Sequence, residues 1–558
     1  MRRASGIRGQ FSPKDRDGLS GALESMSAEE LRVFMREALD RLQDEPRSAL
    51  EDSLIAQAAK GRSGWKPAKP PSRLVADVRE YVEAARRVGH AEADRVDAYL
   101  RQGSRAFLAG DLTTARAVFE TLLPPIAEFE IDLGQHEMVD EVLTVNTQDC
   151  GAQYVVSAYA TTPLDRRAEA VQRAIEAVDG VAQFFEPLRE MERVATAPLP
   201  DRDAFLPQWL RYIEAQPSSE DEWDGERDRW LREVVVRLEG VKGLERIARK
   251  TKKPGALRAW CAALVESRDW AAALRAFDDA VGMLGESYLR GYFMDGAALA
   301  AKQLGRRDAT DRLEAAWLSD PSLVRLLRWL GADDPDFGTI VKRAKLAIAE
   351  RPTDSGRQLG LLHVLSGDVS AAAALLAKAP GLGWSGEGHP GHVLFPAFAR
   401  ILAHGTRAKL PPNNLADRLE SPCDETDLDD NFDGNNDVED EAPPRITAPS
   451  LLNLIASAGS GKSIDPRGRV VMFKAMQTAT AKRAEGILGN KRRHHYAHVA
   501  ALVACCLELS RVVGERDSVV AWLDDLRKKY SRFSKIRRTV HPHKVWAPEH
   551  YSHSKTSL

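Results

Sequence analysis

RVVMFKAMQTATAKRAEGILG, residues 469 to 489, places apolar side chains at helical spacing, with Val470, Phe473, Met476, Ala484, Ile487 and Leu488 along one stripe. Gly489, Asn490 and the charges of Lys491, Arg492 and Arg493 punctuate it. A second run, from Tyr496, aligns Val499, Val503, Cys506 and Val513, and Gly514 stops it because glycine takes the left-handed backbone a helix end needs. Asp517 or Ser518 offers a cap for a third helix, whose inner face carries Val519, Trp522, Leu523, Leu526 and Tyr530. Short turns between such helices make antiparallel neighbours. No single one hides its own apolar stripe, so all three must pack on each other and on what precedes them.

Outward from this stretch the pattern stays helical. Ser27 and Glu30 fit a capping box at the start of SAEELRVFMREALDRL, with Leu31, Phe34, Ala38 and Leu42 on one face. The expected order is a disordered N-terminus (1–26), N-terminal helices (27–61), a proline-broken linker (62–72) and a helical repeat region (73–410). An acidic disordered linker (411–446), a C-terminal helical unit (447–540) and a tail (541–558) follow. Between Glu420 and Glu441 stand eleven acids and no base, a segment that repels itself and buries nothing.

Three places share a turn followed by a small, then a bulky, then an apolar residue. They are Gly110-Asp111 with Ala115, Phe119 and Leu122, Arg268-Asp269 with Ala273, Phe277 and Ala280, and Gly367-Asp368 with Ala372, Leu376 and Ala379. The spacing is like the second helix of a tetratricopeptide repeat. The small positions lie 158 and 99 residues apart, which is no fixed period. The fold class expected is therefore all-α, an irregular α-solenoid of such hairpins.

The chain has 558 residues, 43% hydrophobic and 29% charged, with a net charge of −3. That balance predicts no global attraction to nucleic acid or membrane. Five scattered cysteines without C-x-x-C spacing argue against a disulfide framework or structural zinc and for a reducing, cytoplasmic setting. No apolar run reaches the roughly 20 residues of a membrane span.

Four features invite a chemical reading. ASAGSGKS, Ala456 to Ser463, has Ala456 where a phosphate loop needs its first glycine, and LLNLIA before it reads as helix rather than strand. Asp429, Asn431, Asp433 and Gly434 begin like a calcium loop, but Asp440 stands where the bidentate glutamate belongs. His494 and His498 are four apart, with no third ligand assignable, and a surface basic cluster explains them better. Basic charge is the strongest signal. From Lys482 to Lys544 fifteen lysines and arginines stand against six acids. The candidate polyanion-binding residues are Lys491, Arg492, Arg493, His494, Lys528, Lys529, Arg532, Lys535, Arg537 and Arg538. No catalytic set, cofactor loop or metal site is assignable.

GHPGHVLFPAFARILA (388–403), RAEGILGNKRRHHYAHVAALVACCLELSRVVG (483–514), WLDDLRKKYSRFSKIRRTV (522–540) and EVLTVNTQDCGAQYVVSAYATTPLDRRAEAVQRAIEAV (141–178) together resemble the long helical region of bacterial proteins that often carry a SWIM-type zinc finger. The finger itself, C-x-C followed by C-x-H, is absent, so no metal ligands carry over. The resemblance implies an α-helical repeat scaffold in the cytoplasm, working beside other proteins. The expectation is a non-enzymatic scaffold for protein partners. The alternatives are a nucleic-acid-associated protein using the basic C-terminal helices, and an enzyme with an unrecognised helical active site.

Overall fold

Alanine, leucine, arginine and glutamate recur along this chain and favour helix wherever packing permits. The computed structural model describes residues 21–61, 63–135, 138–217, 225–285, 289–350, 355–386, 388–404, 415–419, 446–457 and 464–529. The fold is all-α: among the described residues there are 25 α-helices and no strands. Two compact units divide at Ala259/Trp260, inside the stretch expected to be one repeat region.

The first unit contains α1 (Ala28–Arg41), α2 (Asp44–Lys60), α3 (Leu74–Val88), α4 (Ala93–Leu108), α5 (Leu112–Ala127), α6 (Thr147–Thr161), α7 (Arg167–Glu176), α8 (Pro187–Val194), α9 (Arg202–Glu214), α10 (Glu226–Glu239) and α11 (Val241–Thr251). From α4 to α7 each helix packs on the next, and α3 also meets α5 and α6 meets α8. The capping box of α1 forms as the sequence predicts, with the Ser27 and Glu30 side chains each accepting the other's backbone N–H. Yet α1 buries none of its residues, and Phe34 is 53% exposed. Aromatic rings centre the unit. Tyr159 meets Phe205 edge-on at 4.8 Å, and Phe205, Trp209 and Trp230 stack at 5.9 Å steps.

Two buried carboxylates organise backbone far from them in sequence. Asp97 on α4 accepts from the N–H groups of Thr144 and Val145 at 2.9 and 3.1 Å. Glu233 on α10 accepts from Leu188 and Arg189 at 3.0 and 2.7 Å, satisfying the open N-terminus of α8. Burial pushes the Glu233 carboxyl up to about 7, against the pull of Arg237 and of the two amides.

The helix α12 (Pro254–Glu266) carries the division. The second unit contains α13 (Trp270–Leu284), α14 (Arg290–Gln303), α15 (Ala309–Ser319), α16 (Leu323–Leu330), α17 (Phe337–Glu350), α18 (Gly356–Ser366), α19 (Val369–Lys378), α20 (Gly391–His404), α21 (Leu415–Arg418), α22 (Leu451–Ser457), α23 (Pro466–Gly489), α24 (Tyr496–Val513) and α25 (Arg516–Lys529). From α13 to α20 neighbours again pack in order. Then α23 lies against both α19 and α20, and α24 against α20.

The three closing helices pack as their stripes require: Phe473, Met476, Ile487, Val503, Cys506 and Val519 are buried in cores shared with earlier helices, and Trp522 packs against them half-buried. Two starts differ from expectation. α23 begins at Pro466, capped by Asp465, because proline fits the first helical position. α25 begins at Arg516, two or three residues closer to Gly514 than a cap at Asp517 or Ser518 would allow. α24 has the 18-residue length and mean hydropathy, 1.5, of a membrane span, but 56% of it is buried within the protein.

Loop and helix are locked at one place by backbone contact. Lys482 Nζ donates to the carbonyls of Ala377, Lys378 and Ala379 at 2.8, 3.2 and 3.3 Å, closing the C-terminus of α19. A Cβ on Gly381 would stand 2.1 Å from the Lys482 carbonyl oxygen, so only glycine permits this approach. Arg343 does the same for α16, donating to the carbonyls of Trp329, Leu330 and Ala332.

Most of the expected disordered segments, 1–26 and 411–446, and the 541–558 tail lie outside the described residues. The described parts of these ranges correct the expectation of disorder: residues 21–25 are helical, and within 411–446 Leu415 to Arg418 is a helical turn. The Leu415 amide donates to Glu508 Oε2 at 2.7 Å, and the carbonyl of the fully buried Ala416 accepts from Arg400 Nε at 3.1 Å.

Candidate functional site

The turn after α23 is a tight stop. Lys491 takes a left-handed φ of 56°, and the Arg492 amide returns to the Ile487 carbonyl at 3.0 Å. Lys491, Arg492 and His494 are exposed there, and Lys491 and Arg492 make no ion pair among the described residues. Arg493 opens the short 3-10 turn Arg493–His495. The last turn of α25 lies beside this end, since Lys529 Nζ reaches Glu485 of α23 at 3.1 Å. Lys528 and Lys529 are exposed, and Lys528 sits 4.0 Å from Asp525. The structure thus brings the described members of the basic set together at one end of three helices. It also spends part of their charge on acids, and both helix C-termini gain from nearby cations regardless of any ligand. Arg532, Lys535, Arg537 and Arg538 lie outside the described residues.

The histidines correct one expectation. His494 precedes α24 in the 3-10 turn, whereas His498 is on α24 and turns inward, so the two do not share an exposed helical face. His498 instead meets Trp384, whose ring lies 5.1 Å away, and His392, at 6.3 Å. His389, buried, stacks on the same tryptophan at 5.1 Å and contacts the Pro380 carbonyl through Nε2 at 2.8 Å. Arg483 lies over the Trp384 ring at 5.7 Å and reaches His498 Nδ1 at 3.5 Å. Burial lowers His392 to about 4, with Arg357, His389 and Arg483 adding to the effect. His498 is likewise lowered to about 4, by burial first and then by Arg483, His392 and His495. His392 and His498 are therefore neutral at physiological pH and pack against the Trp384 ring. Among the described residues no group of three or more His, Cys, Asp or Glu is placed to hold a metal ion.

The phosphate-loop-like motif begins inside α22, a helix through Ser457, where a nucleotide loop needs a strand. Its glycines and lysine, Gly459 to Lys462, and the calcium-like stretch at 429–440 lie outside the described residues.

One feature escaped sequence reasoning. In the first unit a solvent-open cavity of mixed polar and apolar lining is bordered by Lys60, Arg101, Arg105, Arg193, Asp149 and Gln153, with Cys150 beside them. Those side chains come from α2, α4, α6 and α8, and nothing in their local patterns marks them as neighbours. The nearest signal is the Asn146 cap, whose Oδ1 accepts the Asp149 amide at 2.9 Å and so starts α6 at the cavity wall. No protein-family model matches the chain, and no curated protein is significantly similar to it.

Proposed function

We propose that the chain is a non-enzymatic α-helical scaffold for protein partners, an irregular α-solenoid of tetratricopeptide-like hairpins related to the helical region of SWIM-type proteins. One observation carries this. The three turns singled out by internal similarity share one geometry. Asp111, Asp269 and Asp368 cap their helices with φ/ψ of −89/71°, −80/73° and −83/71°, and each side chain accepts the amide three residues on. A left-handed residue precedes each: Gly110, Arg268 and Gly367 at φ 80°, 57° and 86°. Ala115, Ala273 and Ala372 behind them are fully buried. Phe277 packs so tightly on α14 that a Cβ on Gly296 would stand 2.2 Å from its ring. Repetition of one hairpin is how stacked-helix proteins build surfaces that hold other proteins.

The apolar face left open on α1 provides the test. Tagged full-length chain, purified at its natural abundance in moderate salt, is expected to carry a stoichiometric protein partner. Val33→Glu with Phe34→Glu is expected to release that partner without loss of helicity. A chain that elutes alone at its own mass overturns the proposal.

A second reading rests on the exposed Lys491, Arg492 and His494: a nucleic-acid contact at the basic end of α23 and α25, with cytoplasmic nucleic acid as the partner. It predicts binding that weakens steeply with salt. Lys491→Glu with Arg492→Glu would then abolish retention on a single-stranded DNA column, and unchanged retention removes the idea.

A further inference from the structure

The α1–α2 hairpin carries more apolar surface than it hides. Leu31, Phe34, Met35 and Leu39 recur at helical spacing on α1, and Leu50 and Leu54 on α2. The two helices pack on each other. Yet among their described residues only Ala59 is buried, and Phe34 and Leu42 are 53% and 39% exposed. Polar contacts of α2 tie the hairpin to the rest of its unit: Asp52 accepts from Arg101 Nε at 2.8 Å, and Lys60 Nζ donates to the Arg193 carbonyl at 2.7 Å. A helix of 14 residues is marginal in water without packing on its apolar stripe. α2 supplies that packing in part, and the remainder of the stripe stands open.

Charge says what fits there. Residues 21–61 hold nine acids against five bases. Glu30 and Glu37 lie one turn to either side of Phe34, both exposed. Each has one partner, Ser27 and Arg41 respectively, and keeps further acceptor positions. Residues 1–20, which lie outside the described residues, hold five bases against two acids, with Ile7 and Phe11 four apart and Arg8 between them. This segment adjoins the hairpin, since residues 21–25 are helical and lead to the Ser27 cap of α1. The path from Gly21 to Phe34 is at most about 25 Å, and the ten residues from Phe11 to Gly21 can span about 33 Å. A second copy is the poorer occupant. It brings the same excess of acid, and at micromolar concentration it lacks the roughly millimolar effective concentration that a short covalent tether confers.

We propose that residues 1–20 dock on the open face of the α1–α2 hairpin of their own chain. Ile7 and Phe11 seat beside Phe34, and the neighbouring cations meet Glu30 and Glu37. The contact goes beyond the scaffold reading, because it forms in a chain that has no partner. A protein partner on the same face has to displace it.

The test is hydrogen exchange on the purified full chain, with its mass followed by light scattering. Ile7→Glu with Phe11→Glu lies outside every described core, and is expected to speed exchange at residues 28–42 by about tenfold while residues 188–235 keep their protection. Arg3→Glu with Arg8→Glu is expected to act in the same direction. A synthetic peptide of residues 1–20, added at about 1 mM to the Ile7→Glu, Phe11→Glu chain, is expected to restore the protection, and a scrambled peptide of the same composition is not. Unchanged exchange in the Ile7→Glu, Phe11→Glu chain, or no recovery with the peptide, overturns the proposal. A dimer that Phe34→Glu dissociates assigns the face to a second copy and overturns it equally. The purified chain alone is measured, so failure of the scaffold reading leaves this result standing.

Discussion

In the first unit a buried acid meets a helix beginning, and in the second unit cations meet helix ends. Glu233 accepts the opening amides of α8. Lys482 and Arg343 donate to the closing carbonyls of α19 and α16. Both devices answer the same physical fact: a helix leaves amides unpaired at one end and carbonyls at the other, and the aligned dipole sharpens each. The difference lies in cost. A carboxylate taken out of water resists ionisation, and Glu233 rises to about 7. Lys482, half-buried, directs its ammonium at three carbonyl acceptors. The second unit instead places its titration risk in the imidazoles around Trp384.

Glu233→Ala should cost the first unit about 3 kcal/mol, because a buried and a part-buried amide lose their acceptor at once. Hydrogen exchange at residues 188–235 should accelerate while residues 369–510 keep their protection. Equal acceleration in both would break the comparison. Gly381→Ala should cost the second unit about 3 kcal/mol, since the obstacle is a backbone carbonyl rather than a side chain that can swing aside. Lys482→Met, which keeps the stem and removes the donors, should cost about 2 kcal/mol. If Lys482→Met proves neutral by denaturant titration, the cation is decoration and the glycine contact alone holds the loop.

The pH dependence is the most diagnostic. The Glu233 carboxyl is raised from 4.5 to about 7, so the folded chain holds a proton there that the unfolded chain has lost. Its contribution is fully present below pH 4.5 and is lost as pH rises toward 7. His392 and His498 fall from 6.5 to about 4, so their contribution runs the other way: present above 6.5 and lost as pH falls toward 4. Between these limits the two units should shift in opposite directions on acidification. Glu233→Gln should flatten the first slope, and His498→Phe the second, each followed by regional hydrogen exchange across pH 4.5 to 6.5. A common slope in both units would remove the distinction.

The contrast also explains what was legible beforehand. Phe473, Met476, Ile487 and Val503 announce burial through spacing alone, and Ser27 with Glu30 announces a helix start, because those signals lie within a few residues. Glu233 sits in RDRWLREVVVRLE, where it looks like one more solvated charge; its amide partners lie 44 and 45 residues away. Gln153, Lys60 and Arg105 are similarly ordinary in their own helices, and only the packing of α2, α4 and α6 makes a cavity of them. The histidines misled for the converse reason. His494 and His498 have helical spacing, but the helix begins between them. The basic set was readable as a charge excess, whereas its partial neutralisation by Glu485 and Asp525 depends on where α25 lies.

The contact between Gly381 and Lys482 joins positions 101 apart. During synthesis on the ribosome, α19 and α20 emerge well before the helix that covers them. The part of their apolar surface that α23 covers must wait until translation has passed residue 489 and α23 has cleared the exit tunnel. This late closure places the interval of greatest aggregation risk between those two moments of elongation.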